Sequence, residues 1–69
     1  MTAAEFRSCL DTIGWHWTDV AERTGINSRT VSRWYSGAGT VPEDVGEPLA
    51  AISAAVRLAL EAHPLPFRG

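Results

Sequence analysis

The side chains that can do chemistry gather in the segment Trp17–Gly37, WTDVAERTGINSRTVSRWYSG. On a helix starting near Ser28, a step of about 100° per residue brings five polar side chains onto one arc and turns Val31 and Trp34 the other way. The arc consists of Ser28, Arg29, Ser32, Arg33 and Ser36. An arginine near the start of a helix in the major groove can donate two parallel hydrogen bonds to O6 and N7 of guanine. The arc is therefore a candidate surface for reading DNA bases.

A sharp turn must precede this helix for the arc to face outward. Gly25 follows a helical run that ends at Thr24, and glycine adopts the left-handed conformation that closes a helix at little steric cost. Ile26 then provides an apolar residue for the core, and Asn27 or Ser28 can cap the next helix. The segment thus predicts two short helices joined at Gly25.

This pattern resembles the helix-turn-helix of the phage-repressor and Cro-like family. The resemblance rests on a small residue in the first helix, the turn glycine and spaced apolar residues after it, and it extends from about Phe6 to Leu60. These positions hold Ala21, Gly25, Ile26, Val31 and Trp34, and the run VSRWYSG followed by VP is typical of the family. Two positions depart from the pattern, since His16 replaces the usual capping Ser or Thr and Trp17 replaces a phosphate-binding Gln. The resemblance implies an all-α, lambda-repressor-like bundle of four to five helices.

Within that family the second helix contacts DNA, and each polar residue receives an expected role. Arg29 and Arg33 would read bases, with Ser28 and Ser32 discriminating poorly beside them. Contacts to the DNA backbone are expected from Trp17, Asn27, Thr30, Ser36, Arg23 and Arg7. Alternatives stay open for four of these: packing for Trp17, helix capping for Asn27, and a solvated surface charge for Arg23 and Arg7. The loop Ser36–Gly39 is either a phosphate-binding loop or an ordinary turn.

The N-terminal part of the chain reads as one amphipathic helix. Thr2 and Glu5 form a potential capping box for a helix from about Ala3 to Ile13, which Gly14 ends. Its apolar stripe holds Phe6, Cys9, Leu10 and Ile13. If His16 caps the next helix, Trp15 and Val20 occupy the positions of a hydrophobic staple, and Asp19 suits the helix dipole.

The C-terminal part predicts a helix with two apolar stripes. Pro42 permits a short helical turn over residues 43–45, and Pro48 suits the first position of a last helix running to about Ala62. One stripe, expected in the core, holds Leu49, Ile52, Val56 and Leu60, and the opposite one holds Ala51, Ala54, Ala55, Leu58 and Ala62. A helix apolar nearly all round is normally buried on more than one side, which predicts a homodimer through the second stripe. Alternatively, alanine is simply a good helix former that tolerates exposure.

Composition bounds the remaining possibilities. The 69 residues carry a net charge of −2, and all six basic residues are arginine. We expect one domain over residues 1–63, with a dimerisation helix at about 48–62 and a flexible tail at 64–69. The single Cys9 is expected in the core of a cytoplasmic protein, and nothing in the sequence predicts a membrane segment, a metal, a cofactor or a small-molecule ligand. Because no nucleophile-base or metal constellation is recognisable, an enzyme is not expected.

The leading hypothesis is a sequence-specific regulator that binds double-stranded DNA. It would be a dimeric repressor on a palindromic operator and, without a sensor domain, would act by occupancy. The resemblance implies a role like that of phage Cro-like proteins or of autorepressors encoded beside anti-CRISPR or toxin genes. The alternative is a protein-interaction module, such as the antitoxin of a toxin-antitoxin pair, whose acidic C-terminal half contacts a basic partner.

Overall fold

The computed structural model describes residues 1–65 and contains four helices. They are α1 (Ala3–Ile13), α2 (Trp17–Thr24), α3 (Ser28–Ser36) and α4 (Glu43–Ala62). The predicted all-α fold is confirmed. Of the tail predicted at 64–69, residues 66–69 lie outside the described residues.

Helix α1 begins and ends where the local signals place it. The Thr2 hydroxyl accepts from the Glu5 N–H at 3.1 Å, and the Glu5 carboxylate accepts from the Thr2 N–H at 2.8 Å. These two bonds satisfy backbone donors that a helix start leaves unpaired, and the second lowers the pKa of the Glu5 carboxyl below its ordinary value. Gly14 ends the helix with φ of 88°.

Helices α2 and α3 meet at a turn centred on Gly25. Its φ of 73° is left-handed, and its N–H donates to the Ala21 carbonyl at 3.0 Å. At the other end of α2, His16 is the N-cap. Its ring Nδ1 accepts from the backbone N–H of Thr18 at 3.4 Å, and its backbone N–H donates to Asp19 Oδ2 at 2.8 Å. His16 and Asp19 thus form a capping box in place of the more usual Ser/Thr and Glu pair.

One apolar core holds the four helices together. Phe6 of α1 lies at its centre with 0% exposure, and its ring meets that of Trp34 edge-on at 6.0 Å. The buried apolar residues of the core are Phe6, Leu10, Val20, Val31, Trp34, Val41 and Leu49. Helix α1 packs against both α3 and α4, whereas α2 packs chiefly against α3. The core therefore lies behind α3 and leaves its polar arc outside.

The predicted break before Pro48 is wrong. Helix α4 begins at Glu43 and runs through Pro48 without interruption to Ala62, so the short turn and the last helix are one element. An interior proline costs about 3 kcal/mol, because it removes one backbone hydrogen bond and crowds the preceding turn. Packing on both sides offsets this cost: Gly46 is buried against Met1, and Leu49 is only 5% exposed.

The predicted core stripe of α4 is wrong at two positions. Leu49 is buried and Val56 is half-buried, but Ile52 is 39% exposed and Leu60 is 60% exposed. The reason is length, since the 20 residues of α4 extend about 30 Å and run past the shorter helix α1. None of the four helices within residues 1–65 is long and apolar enough to cross a membrane.

Candidate nucleic-acid interface

The outward surface of α3 is polar, as its periodicity predicts. Ser28, Arg29 and Arg33 are exposed and Ser32 is half-buried, whereas Val31 is 0% and Trp34 5% exposed. We call this surface the α3 polar face; it comprises Ser28, Arg29, Ser32, Arg33 and Ser36. Its separation from the core means that its donors can meet a partner without any loss of packing.

Both ends of α3 are fixed by hydrogen bonds. Asn27 Oδ1 accepts from the Arg29 N–H at 2.8 Å, so the amide side chain is a helix cap. At the other end the Gly37 N–H donates to the Arg33 carbonyl at 3.1 Å, and Gly37 has a φ of 93°. Between them, the Phe6–Trp34 contact holds the back of the helix. The α3 polar face thus lies on a short helix whose two ends are both capped.

The spacing of the two arginines suits neighbouring base pairs. Four residues along an α-helix correspond to a rise of about 6 Å, close to two base-pair steps of about 3.4 Å each. Arg29 and Arg33 are both exposed on the same side of α3. If α3 lies along the major groove, their guanidinium groups can reach base pairs about two steps apart.

Residues expected to contact the DNA backbone lie at the start of α2 and near both ends of α3. Thr30 is exposed near the start of α3, and Ser36 is exposed at its end, where its Oγ donates to the Arg33 carbonyl at 3.2 Å. Trp17 begins α2, is half-buried against the core, and lies 5.3 Å from the His16 ring between ring centres. The Trp17 indole therefore packs against the core on one side and is accessible to solvent on the other. Its contact with a DNA phosphate stays a prediction.

Two of the predicted DNA-contacting arginines are engaged within the protein. Arg7 is half-buried, and its Nη1 donates to the Tyr35 carbonyl at 2.6 Å. The Arg23 guanidinium lies 4.4 Å from the centre of the Trp15 ring, beside an apolar hollow of about 230 Å³ between α2 and α4. Sequence reasoning missed both contacts. The Arg7 bond joins residues far apart in the chain, so no local pattern signals it.

Comparison with known protein families decides the class of this domain. A homeodomain-like domain model matches residues 6–40, about half of the chain. The chain belongs to the homeodomain-like helix-turn-helix family. Its fold is therefore that of a DNA-binding domain, and α3 is the second helix of the motif, which in such domains lies in the major groove.

The homeodomain-like match covers nearly all of α1, all of α2 and α3, and ends before α4 begins at Glu43. It supports helix-turn-helix membership in general, while the closer likeness to Cro-like repressors stays a prediction. Searches of characterised proteins and of solved structures found no match to the chain.

Acidic, histidine and cysteine side chains of this homeodomain-like domain are dispersed. Within residues 1–65, no three of them lie close enough together to hold a metal ion. Cys9 is half-buried on α1, next to the core residue Leu10. The α3 polar face therefore remains the candidate site within the described residues.

Proposed function

We propose that the chain is a sequence-specific, non-catalytic DNA-binding regulator, which represses transcription as a homodimer on a palindromic operator. The observation that carries this proposal is the α3 polar face, where Arg29 and Arg33 are exposed while Val31 and Trp34 are buried behind them. Arg29 and Arg33 each donate to the O6 and N7 of a guanine, and Ser28 and Ser32 contact neighbouring base edges.

The low charge of the chain predicts weak non-specific binding to DNA. With a net charge of −2, the protein has little general attraction to phosphate. Trp17 lies at the start of α2, and Thr30 and Ser36 lie near the two ends of α3; contacts from these residues to the DNA backbone would fix the register of α3. Binding then depends on the base contacts of a correctly placed helix.

The magnitudes of these contacts favour a dimer. One bidentate base contact discriminates by about 1–3 kcal/mol, whereas specific binding exceeds non-specific binding by about 4–10 kcal/mol. Two arginines from one copy reach only the lower part of that range. Two copies related by a two-fold axis double the contacts and require half-sites about one helical turn apart.

The dimer surface that we propose is the outer side of α4. Helix α4 packs mainly against α1, and between residues 51 and 62 it carries an exposed apolar stripe. Leu58, the largest member, is 65% exposed, and the others are Ala51, Ala54, Ala55 and Ala62. A domain of this size buries little surface of its own, so covering this stripe with a second copy adds stability.

Leu58→Glu should produce a monomer, because each copy would bring a charged carboxylate into the apolar interface. Sedimentation equilibrium measures the mass directly. Leu60→Glu is the matched control: Leu60 is similarly exposed at 60% but lies about 200° around the helix from Leu58, so this variant should stay dimeric. A monomer from Leu60→Glu and a dimer from Leu58→Glu would place the interface on the other side of α4.

Salt titration tests whether the partner is DNA. Arginines that lie against the duplex should make the affinity fall as salt rises, since their charge releases counterions from the DNA phosphates. Titrating a fluorescent duplex with the protein between about 50 and 200 mM salt gives the slope. A binding partner whose affinity is flat over this range would favour the protein-interaction alternative.

A further inference from the structure

Helix α3 contacts α1 at two distinct places. In the last turn of α3, one residue before Tyr35, Trp34 meets the Phe6 ring edge-on at 6.0 Å. At the end, Arg7 Nη1 donates to the Tyr35 carbonyl at 2.6 Å, and the same guanidinium lies 5.8 Å from the centre of the Tyr35 ring. The first contact is an apolar edge-to-face pair, whereas the second is a charge-assisted hydrogen bond, which is shorter and stronger than a neutral one.

We propose that Arg7 is a positioning residue that sets the angle of α3 on α1, and through that angle sets the base specificity of the α3 polar face. A positive charge is favourable at the C-terminal end of a helix, where the last carbonyl groups lack partners within the helix. Arg7 occupies this place at the last turn of α3, where it satisfies the Tyr35 carbonyl.

The length of α3 relates the Arg7 bond at its C-terminal end to the position of Arg29 near its start. Arg29 lies six residues before Tyr35, which is about 9 Å along the helix axis. Because the Trp34 and Tyr35 contacts with α1 both lie in the last turn of α3, a tilt of about 10° at that turn moves Arg29 by about 1.5 Å. Hydrogen bonds to a base edge tolerate only a few tenths of an ångström before they weaken. Loss of the Arg7 bond therefore lowers base discrimination without removing any group that reads a base.

This inference rests on the proposed DNA binding, but it predicts a different effect of Arg7 from that of a phosphate contact. We expect Arg7→Met, which keeps an apolar stem and loses the donors and the charge, to lower the ratio of affinities for a selected duplex and a scrambled duplex. The expected loss is about tenfold, the equivalent of one weakened bidentate contact. The slope of log affinity against log salt should stay unchanged. Arg7→Lys keeps one donor for the carbonyl and should restore part of the ratio.

Two other results of the same measurement would overturn the proposal. If Arg7 is a phosphate contact, Arg7→Met lowers affinity for both duplexes alike and reduces the salt slope by about 0.9 per copy. If Arg7 serves stability alone, the melting temperature falls but the folded variant keeps the wild-type ratio of affinities. All affinities are measured well below the melting temperature of each variant.

A second readout needs no DNA and separates this inference from the proposed function. In the free protein, Arg7→Met should shift the backbone amide resonances of α3 from Tyr35 back to Ser28, because the whole helix changes its angle. Changes confined to residues next to Tyr35 would contradict the positioning role. If wild-type protein prefers no duplex while these resonances shift along all of α3, the proposed function fails and the control of the α3 angle by Arg7 stands.

Discussion

Arg33→Ala should abolish the preference for guanine at one position in each half-site. Each lost bidentate contact is worth about 1–3 kcal/mol, so a symmetric dimer loses about 2–6 kcal/mol for its preferred duplex. The side chain is exposed on α3 while its neighbour Trp34 is in the core. Truncation beyond Cβ therefore leaves the packing unchanged, and the effect is on recognition. Competition among duplexes that carry each base in turn at each position measures the change.

Arg57→Ala is the matched control for that experiment. Arg57 is also an exposed arginine, but it lies on α4, outside the helix-turn-helix. Its removal changes the net charge by the same amount and should leave base preference intact. If Arg33→Ala lowers affinity for all duplexes equally, as the loss of a phosphate contact would, Arg33 positions the protein on DNA and does not read sequence.

Phe6→Ala should remove much of the protein's stability. Phe6 has 0% exposure and supports Trp34 across the α1–α3 contact, and replacing a buried phenylalanine by alanine costs about 3–5 kcal/mol. A domain of this length has a free energy of unfolding of only about 3–10 kcal/mol. Circular dichroism during urea unfolding should show a strongly lowered midpoint or little helix at all.

Leu65→Ala provides the comparison for Phe6→Ala. Leu65 is 84% exposed, and substitutions at such surface positions usually change stability by less than about 0.5 kcal/mol. A Phe6→Ala protein as stable as Leu65→Ala would mean that the α1–α3 contact does not hold α3 in place.

The first three helices could be predicted from the sequence because their ends depend on local chemistry. The Thr2–Glu5 box, the cap at Asn27 and the glycine at Gly25 each act within a few residues of one another. The inward direction of Val31 and Trp34 follows in the same way from a single helical period. These signals fix both α3 and the side that it turns to solvent.

Helix α4 shows where local reasoning stops. Its apolar period indicates which side faces inward but contains no information on how far the neighbouring helix extends. The period therefore predicts Leu60 in the core, whereas the side chain is exposed. Pro48 is a helix breaker by local rules, yet packing of Gly46 and Leu49 on either side keeps α4 continuous.

The roles of the outlying arginines also depend on tertiary structure. Arg7 reaches a carbonyl on α3, and Arg23 lies over Trp15, at contacts that exist only once the helices are assembled. Arg29 and Arg33 differ because a single helix places them together. The sequence therefore predicts the candidate base-reading residues more directly than the residues that hold or surround them.

Selection of bound sites from a library of random DNA duplexes tests the central claim most directly. If the α3 polar face reads bases, the enriched sequences should share a palindrome with guanine in each half-site, and the half-sites should be about one helical turn apart. Enrichment should disappear when Arg29 and Arg33 are both replaced by alanine in a protein that remains folded. Failure of the wild-type protein to enrich any sequence, or unchanged enrichment by the double variant, would contradict base recognition by α3.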